Sequence, residues 1–393
     1  MTNSPHRRTV SLSPAARAAF QANAARRAAY DRRGFLKRAG GAGALVLGGS
    51  GLLAACGGSD AEESTDTGTD ESSTDENTST AAAADFGELS LQLNWITNAE
   101  FAGTYVAVEE GYYAANGFST VNVVPGGPDV AVEPAVIAGT SKMAYTVSES
   151  LAGAIGEGAE LKVIGAAFQN NPFGVMSMAD NPLLSPQDMV GKKIGVQAVN
   201  DLLWDALLEI NGIEPGSVEK VVAGFDPAPF VNGEVDGWFS FVTNEPNILR
   251  SEGIDVVDFS LSDFGFVLYQ QLICCTEETL ANEKDFLVAA LRSEIQGWQA
   301  TIAEPELGLK WTMEKYGADL GLHEDASLAE INDQIGRMMV TETTDEFGLF
   351  YMTDDAIAEN VATLTSIGLA VDPSLYTTEI LDEIYADGLD LLS

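Results

Sequence analysis

From Glu88 onward the apolar positions recur first at strand spacing and then at helix spacing. Leu89, Leu91, Leu93 and Trp95 alternate with polar neighbours, the period of two expected of a strand with one buried face. Phe101, Tyr105 and Val108 follow at helical spacing within 99–110, and Gly111 closes that stretch. The same rules predict strands at 121–124 and 143–147, with a helix over 129–138 ended by Gly139. Further strands are predicted at 162–168, 174–178, 193–197, 218–222, 235–239 and 255–259. Helices are predicted at 202–210 and 245–250 among them. The apolar run 266–275 could return the chain to its first group of strands. Beyond it, 282–303 and 305–315 predict helices, with more helical stretches to the C-terminus. Strand–helix alternation of this kind predicts parallel sheets with helices on both faces.

The alternation runs through twice, which predicts an α/β protein of two lobes. The first lobe takes 86–178, the second 179–266, and 267–393 completes the first lobe and adds C-terminal helices. A ligand is then expected in the cleft, at the carboxyl ends of strands and the N-termini of helices.

The first 55 residues do not fit this pattern. Asp31-Arg32-Arg33-Gly34-Phe35-Leu36-Lys37 precedes an uncharged stretch from Ala39 to Ala55, ending in Leu53-Ala54-Ala55-Cys56. A basic segment, a short apolar segment and small residues before a cut site make an export signal. The paired arginines resemble a twin-arginine signal, with Asp31 where Ser or Thr is usual. Leu-Ala-Ala-Cys resembles a lipobox, which implies cleavage before Cys56 and acylation of its thiol. A membrane-spanning helix is the competing reading, but the glycine-rich apolar stretch is short for one. Acylation would hold the chain on the outer face of the membrane. Residues 56–85 follow, rich in Ser, Thr, Asp and Glu with no aromatic residue before Phe86. Such a segment cannot bury apolar surface, so a disordered tether is expected, roughly 30 Å long by random-coil scaling.

Charge and histidine content exclude several functions. The chain has 20 Lys and Arg against 59 Asp and Glu; its first 56 residues hold nine of the bases and one acid. The remainder has 11 bases and 58 acids, a formal net charge of −47. That surface repels nucleic acid and anionic headgroups. Of two histidines, only His323 lies beyond the signal, so neither a histidine-based catalytic set nor a multi-histidine metal site is expected. Adjacent Cys274 and Cys275 read as small apolar residues of a buried strand, not as a disulfide.

The segment Leu91-Gln92-Leu93-Asn94-Trp95-Ile96-Thr97-Asn98-Ala99-Glu100-Phe101-Ala102-Gly103-Thr104-Tyr105 continues to Glu110-Gly111-Tyr112-Tyr113 and Asn116-Gly117-Phe118. It resembles the solute-binding proteins of ABC importers in the thiamine-pyrimidine-precursor, sulfonate and nitrate branch. Pro125-Gly126-Gly127-Pro128, Gly191-Lys192-Lys193-Ile194-Gly195-Val196 and Thr243-Asn244-Glu245-Pro246 extend the resemblance over about 88–300. It implies the type II periplasmic-binding-protein fold, a hinge, a monomer without cofactor or metal, and permease and ATPase partners. Two positions depart from the family's pattern: Thr97 stands for a proline and Phe101 for a histidine. Related pyrimidine synthases are enzymes and carry a lysine, a histidine and a cysteine cluster. The matching positions here are Thr146, Ser150 and a region with only Cys274 and Cys275, so no enzymatic activity is expected.

Trp95 can stack on a flat ring or sit in a core. Asn98 is placed to cap a helix and to line the cleft. Of Phe101 and Tyr105, one turn apart, one is expected to face the ligand. Ser148 and Glu149 follow the third strand. Gln169 and Asn170 lie at the expected lobe crossing and suit a polar neutral ligand. Asn244 and Glu245 open a helix in the second lobe. The resemblance implies that Glu245 pairs with the amino edge of a pyrimidine, since a carboxylate accepts two N–H donors. These segments hold no basic cluster, which favours an aromatic heterocycle over an anion. A thiamine pyrimidine precursor is the first expectation and riboflavin the next, followed by sulfonate, taurine or nitrate.

Overall fold

The computed structural model describes residues 85–392 apart from Pro128, Asp129, Phe225 and the side chain of Val199. The export signal, Cys56 and the acidic tether as far as residue 84 lie outside the described residues. The first lobe holds a five-stranded sheet in the order β2 (Phe118–Val124), β1 (Gly87–Gln92), β3 (Met143–Thr146), β10 (Gln270–Thr276), β4 (Leu161–Phe168). The second has the order β7 (Glu219–Ala223), β6 (Lys193–Gln197), β8 (Gly237–Phe241), β5 (Phe173–Met178), β9 (Val256–Ser260).

Two expectations are corrected by this pairing. The sheets are mixed rather than parallel: β10 runs against β3 and β4, and β5 runs against β8 and β9. Each of these strands enters its lobe directly from the other, so it starts where the strands of the strand–helix units end. The lobe boundary also moves. Residues 173–178, assigned to the first lobe, form a central strand of the second sheet, and the crossing falls at 169–172. Strand spacing fixes which face of β5 is buried, not which sheet it joins. The strand expected at 235–239 lies two residues later, because Asp236 is used in backbone and side-chain hydrogen bonds to Lys193.

Helices α1 (Ala102–Glu109) and α2 (Ser148–Gly156) belong to the first lobe, and α3 (Glu245–Ser251) to the second. The long helix α4 (Lys284–Ala303) packs on α1, and α5 (Glu324–Asp333) follows in the C-terminal region. The contact of α1 with α4 is close because both present glycine. A Cβ at Gly297 would lie 2.2 Å from the Gly103 carbonyl oxygen, and one at Gly103 would lie 2.3 Å from the Trp298 ring. On the same helix Glu294 is fully buried and accepts hydrogen bonds from Tyr113, Tyr145 and Thr104 hydroxyls. Burial raises its pKa and the three donors oppose the rise.

The α5 helix and the π-helical turn after it, Gln334–Met339, form a strap across both lobes. Toward the second lobe, Asn247 Nδ2 donates to Asp333 at 2.8 Å, and Arg337 reaches Asp258 at 2.7 Å and the Val242 carbonyl at 3.3 Å. Toward the first, the Gln334 amide donates to the Ala99 carbonyl at 3.3 Å, and Ile331, Met338 and Met339 join the first core. The Gln169 N–H and Asn170 Nδ2 donate to the Met338 and Arg337 carbonyls, both at 2.7 Å, which fastens the lobe crossing to the strap.

Gly297→Ala is expected to destabilise the protein by about 1–3 kcal/mol through overpacking against α1. Thermal unfolding checks this, and an unchanged midpoint would mean that the two helices are not in that contact in solution.

Candidate functional site

The strands β1 and β3 in one lobe and β8 in the other deliver their following loops to the region where the lobes meet. The first loop is drawn tight by Gln92, whose Nε2 donates to the carbonyls of Leu93, Val124 and Pro125 at 2.9–3.3 Å. Gly126 fits against this turn because it lacks a side chain: a Cβ there would lie 2.3 Å from the Leu93 oxygen. Its N–H donates to the Trp95 carbonyl at 2.8 Å, which leaves Trp95 half-buried at the edge of the first core.

Asn98 caps the next turn, its Oδ1 accepting from the Glu100 N–H at 3.3 Å. Its Nδ2 donates to Glu330 Oε1 on the strap, at 3.4 Å. From the second lobe Asn244 Nδ2 donates to the same oxygen at 3.3 Å. Glu330 is thus a buried carboxylate held by one amide from each lobe. Glu245, the next residue, starts α3 and accepts from the Phe241 N–H at 3.0 Å. Glu100 is buried beside them and accepts from Gln271 Nε2. Gln271 adopts φ = +48°, a left-handed backbone that costs a non-glycine residue of order 1–3 kcal/mol and concentrates at functional sites.

Glu100 and Glu330 are raised above the ordinary carboxylate range. Burial pushes Glu100 up to about 7, the Glu245 charge adds to the rise, and the Gln271 amide opposes it. Glu330 is raised well above the ordinary range, by burial first and then by the Glu100 charge; Glu245 adds to it and Asn244 opposes it. Among the described residues no group of three or more His, Cys, Asp or Glu is placed to hold a metal ion.

The sequence expectations fare unevenly. Trp95, Asn98, Asn244 and Glu245 lie on the loops that meet at the strap. Phe101 and Tyr105 do not present a face to solvent: both are fully buried. Phe101 packs edge-on against Tyr145 with centroids 5.4 Å apart, and Tyr105 stacks on Tyr316 at 4.1 Å while its hydroxyl donates to the Asn98 carbonyl. The other departure, Thr97, donates to the Tyr316 carbonyl at 2.7 Å, so both substitutions serve contacts inside the first lobe. Ser148 is buried with its hydroxyl on the Tyr269 carbonyl at 2.5 Å. Glu149 accepts from Gln270 at 2.8 Å, and desolvation raises its pKa. Gln169 and Asn170 are spent on the strap carbonyls and, for Gln169 Nε2, on the Ala166 carbonyl at 2.8 Å.

Glu100, Gln271 and Glu330 were missed. Glu100 lies inside the recognised segment but reads as an ordinary first-turn acid. Two glutamines interrupting the apolar run 266–275 were the visible signal for Gln271. Glu330 carries no local signal, since its place depends on where the strap docks.

The positions matching the synthase residues carry other chemistry. The Thr146 hydroxyl donates to buried Glu133, and Ser150 is exposed on α2. Cys274 and Cys275 are free and buried in β10, and burial pushes both thiols up, Cys275 to about 12.

Comparison with known proteins agrees with this architecture. The family described as NMT1/THI5 like matches residues 98–307, more than half of the chain. The formylaminopyrimidine-binding protein of Halalkalibacterium halodurans is 26% identical over 226 residues, 56% of this chain and 68% of that protein. The riboflavin-binding protein RibY of Chloroflexus aurantiacus is 27% identical over 274 residues, 67% of this chain and 76% of that protein. Among solved structures, the alkanesulfonate-binding protein SsuA of Xanthomonas axonopodis pv. citri, bound to MOPS, superposes with a TM-score of 0.54 at 14% identity. It covers 75% of this chain and 97% of that one. The fold is therefore that of the two-lobed periplasmic solute-binding proteins.

The raised acids give the ligand-free chain an unusual pH dependence. Glu100 goes from an ordinary 4.5 to about 7, so the folded state binds its proton more tightly than the unfolded state. Its contribution is full below pH 4.5 and is lost as pH rises through 7. The difference between these limits is on the order of 3 kcal/mol. Between pH 5 and pH 8 the unfolding midpoint should fall, and Glu100→Gln should flatten that fall. An equal fall in the variant would mean that Glu100 titrates normally.

Proposed function

From the premise that the chain belongs to the NMT1/THI5-like family, we propose that it is the solute-binding component of an ABC importer. It works on the extracytoplasmic face of the cell membrane, exported by the twin-arginine route and anchored through acylated Cys56. It binds a small aromatic heterocycle between its lobes as a monomer and delivers it to a permease driven by an ATPase. One observation carries this reading: loops from the carboxyl ends of strands in both lobes meet at one place, where Asn98 and Asn244 share Glu330. Trp95 supplies a flat apolar surface there, and Glu245 supplies a carboxylate at the start of α3.

The ligand that suits these groups is a thiamine pyrimidine precursor of the hydroxymethylpyrimidine or formylaminopyrimidine type, with its ring on Trp95 and its amino edge on Glu245. Riboflavin is the second reading, favoured by the larger share of the chain aligned with the flavin-binding relative. Catalysis of the synthase kind is disfavoured by Thr146, Ser150 and the two buried thiols. Among the described residues no helix is long and apolar enough to cross a membrane, and the proposed anchor Cys56 lies outside them.

Thermal unfolding against hydroxymethylpyrimidine, formylaminopyrimidine, riboflavin, taurine and nitrate tests the ligand. A true ligand at about 100 times its dissociation constant adds roughly 2.7 kcal/mol of stability. Glu245→Gln should weaken a pyrimidine at least tenfold, about 1.4 kcal/mol, without lowering the ligand-free midpoint. A response to taurine or nitrate alone would overturn the aromatic site. For the anchor, Cys56→Ser should move the chain from the membrane fraction to the soluble one; retention on the membrane would refute acylation there.

A further inference from the structure

When Glu100 and Glu330 are ionised, the region around Glu330 holds more hydrogen-bond acceptors than donors. Glu100 and Glu330 are both buried, each only 7% exposed, and Glu245 lies near enough for its charge to act on both. Burial, the Gln271 amide and Glu245 act on Glu100, and burial, Glu100, the Asn244 amide and Glu245 act on Glu330, with no positive charge among them. Arg337, on the turn that continues α5, is occupied by Asp258 and the Val242 carbonyl.

Two buried amides deepen the imbalance. Gln271 offers its Nε2 to Glu100, and its buried Oε1 has no hydrogen-bond partner. The side chain is 98% buried by its 2% exposure, and the backbone is held in the left-handed region to place it. Gln334, one turn past Glu330, repeats the arrangement: Nε2 is on the Ala99 carbonyl and the fully buried Oε1 is without a partner. An unsatisfied buried acceptor costs about 1–3 kcal/mol. Several in one place call for a donor from outside the chain.

We propose that Glu100, Gln271 and Glu330 are specificity-determining residues, which with Glu245 select a ligand carrying N–H donors on more than one edge and a positive charge. A protonated aminoheterocycle or an amidinium fits that description. A flavin ring or a sulfonate, which bring mainly acceptors, does not. The inference rests on the receptor reading and narrows it. It also gives the ligand a role in closure. Bringing Asn98 of one lobe and Asn244 of the other onto Glu330 gathers three carboxylates into a poorly solvated place. Without a donor-rich ligand, desolvation and charge repulsion oppose the ionisation of these acids there. With one, each carboxylate gains a charge-assisted hydrogen bond. The ligand is therefore selected by the same groups whose ionisation it supports.

Calorimetric titration of the full chain tests this with four probes: 4-amino-5-hydroxymethyl-2-methylpyrimidine, its 4-oxo counterpart, benzamidine and riboflavin. The amino compound or benzamidine should bind at least tenfold more tightly than the 4-oxo compound and riboflavin. Glu100→Gln and Glu330→Gln should each weaken the amino ligand at least tenfold and shrink its advantage over the 4-oxo compound. Both variants should unfold without ligand above the wild-type temperature at pH 8, an increase that a purely structural role for the carboxylates would not give. Tight binding of riboflavin or the 4-oxo compound, unaffected by either variant, would overturn this inference and leave the receptor reading standing. Failure of the folded wild-type chain to bind any of these probes or the anions would sink both.

Discussion

A single buried carboxylate, Glu330, accepts one amide from each lobe, and the arrangement of the cleft follows from it. Asn98 cannot reach it unless the loop after β1 is tight, which requires Gln92 across three carbonyls and glycine at position 126. Asn244 cannot reach it unless β8 ends where α3 begins. Glu330 itself is carried by a strap whose two flanks are bonded to different lobes. The carboxylate thus lies where three independently built parts of the chain converge.

The protein handles buried acids in two ways. Glu294, in the core of the first lobe, has three hydroxyl donors and is satisfied within the chain. Glu100 and Glu330 have amide donors only, and the Glu100 charge acts on Glu330 with the same sign. The first arrangement ties α4 to the sheet and is complete. The second is costly in isolation, as is the left-handed backbone of Gln271 beside it. Cost of this kind, placed together where two lobes meet, is characteristic of a site rather than of a scaffold.

The two departures from the family's pattern are explained by packing. Phe101 fills the first core against Tyr145, and Thr97 fastens its loop to the Tyr316 carbonyl. Phe101, fully buried, therefore belongs to the core of the first lobe. The acid-rich surface left by 58 acids against 11 bases is a separate property, since the ion pairs at the strap use arginines placed for that purpose.

The sequence alone determined the class of fold, the existence of two lobes, and the segment from Leu91 to Tyr105 with its capping Asn98. These features follow from local periodicity and local hydrogen bonding, which a chain carries in its own order. It also placed Asn244 and Glu245 at a helix start, because an acid followed by proline marks one. Only the tertiary structure decided that β5 belongs to the second sheet, since alternation fixes the buried face of a strand and not its neighbours. It alone turned Phe101, in the turn before α1, and Tyr105, on α1, inward, because the first core closes over both. And it alone brought Glu100, Gln271 and Glu330 to Glu245. Their meeting depends on contacts across as many as 232 positions of sequence, for which no residue pattern along the chain supplies a signal.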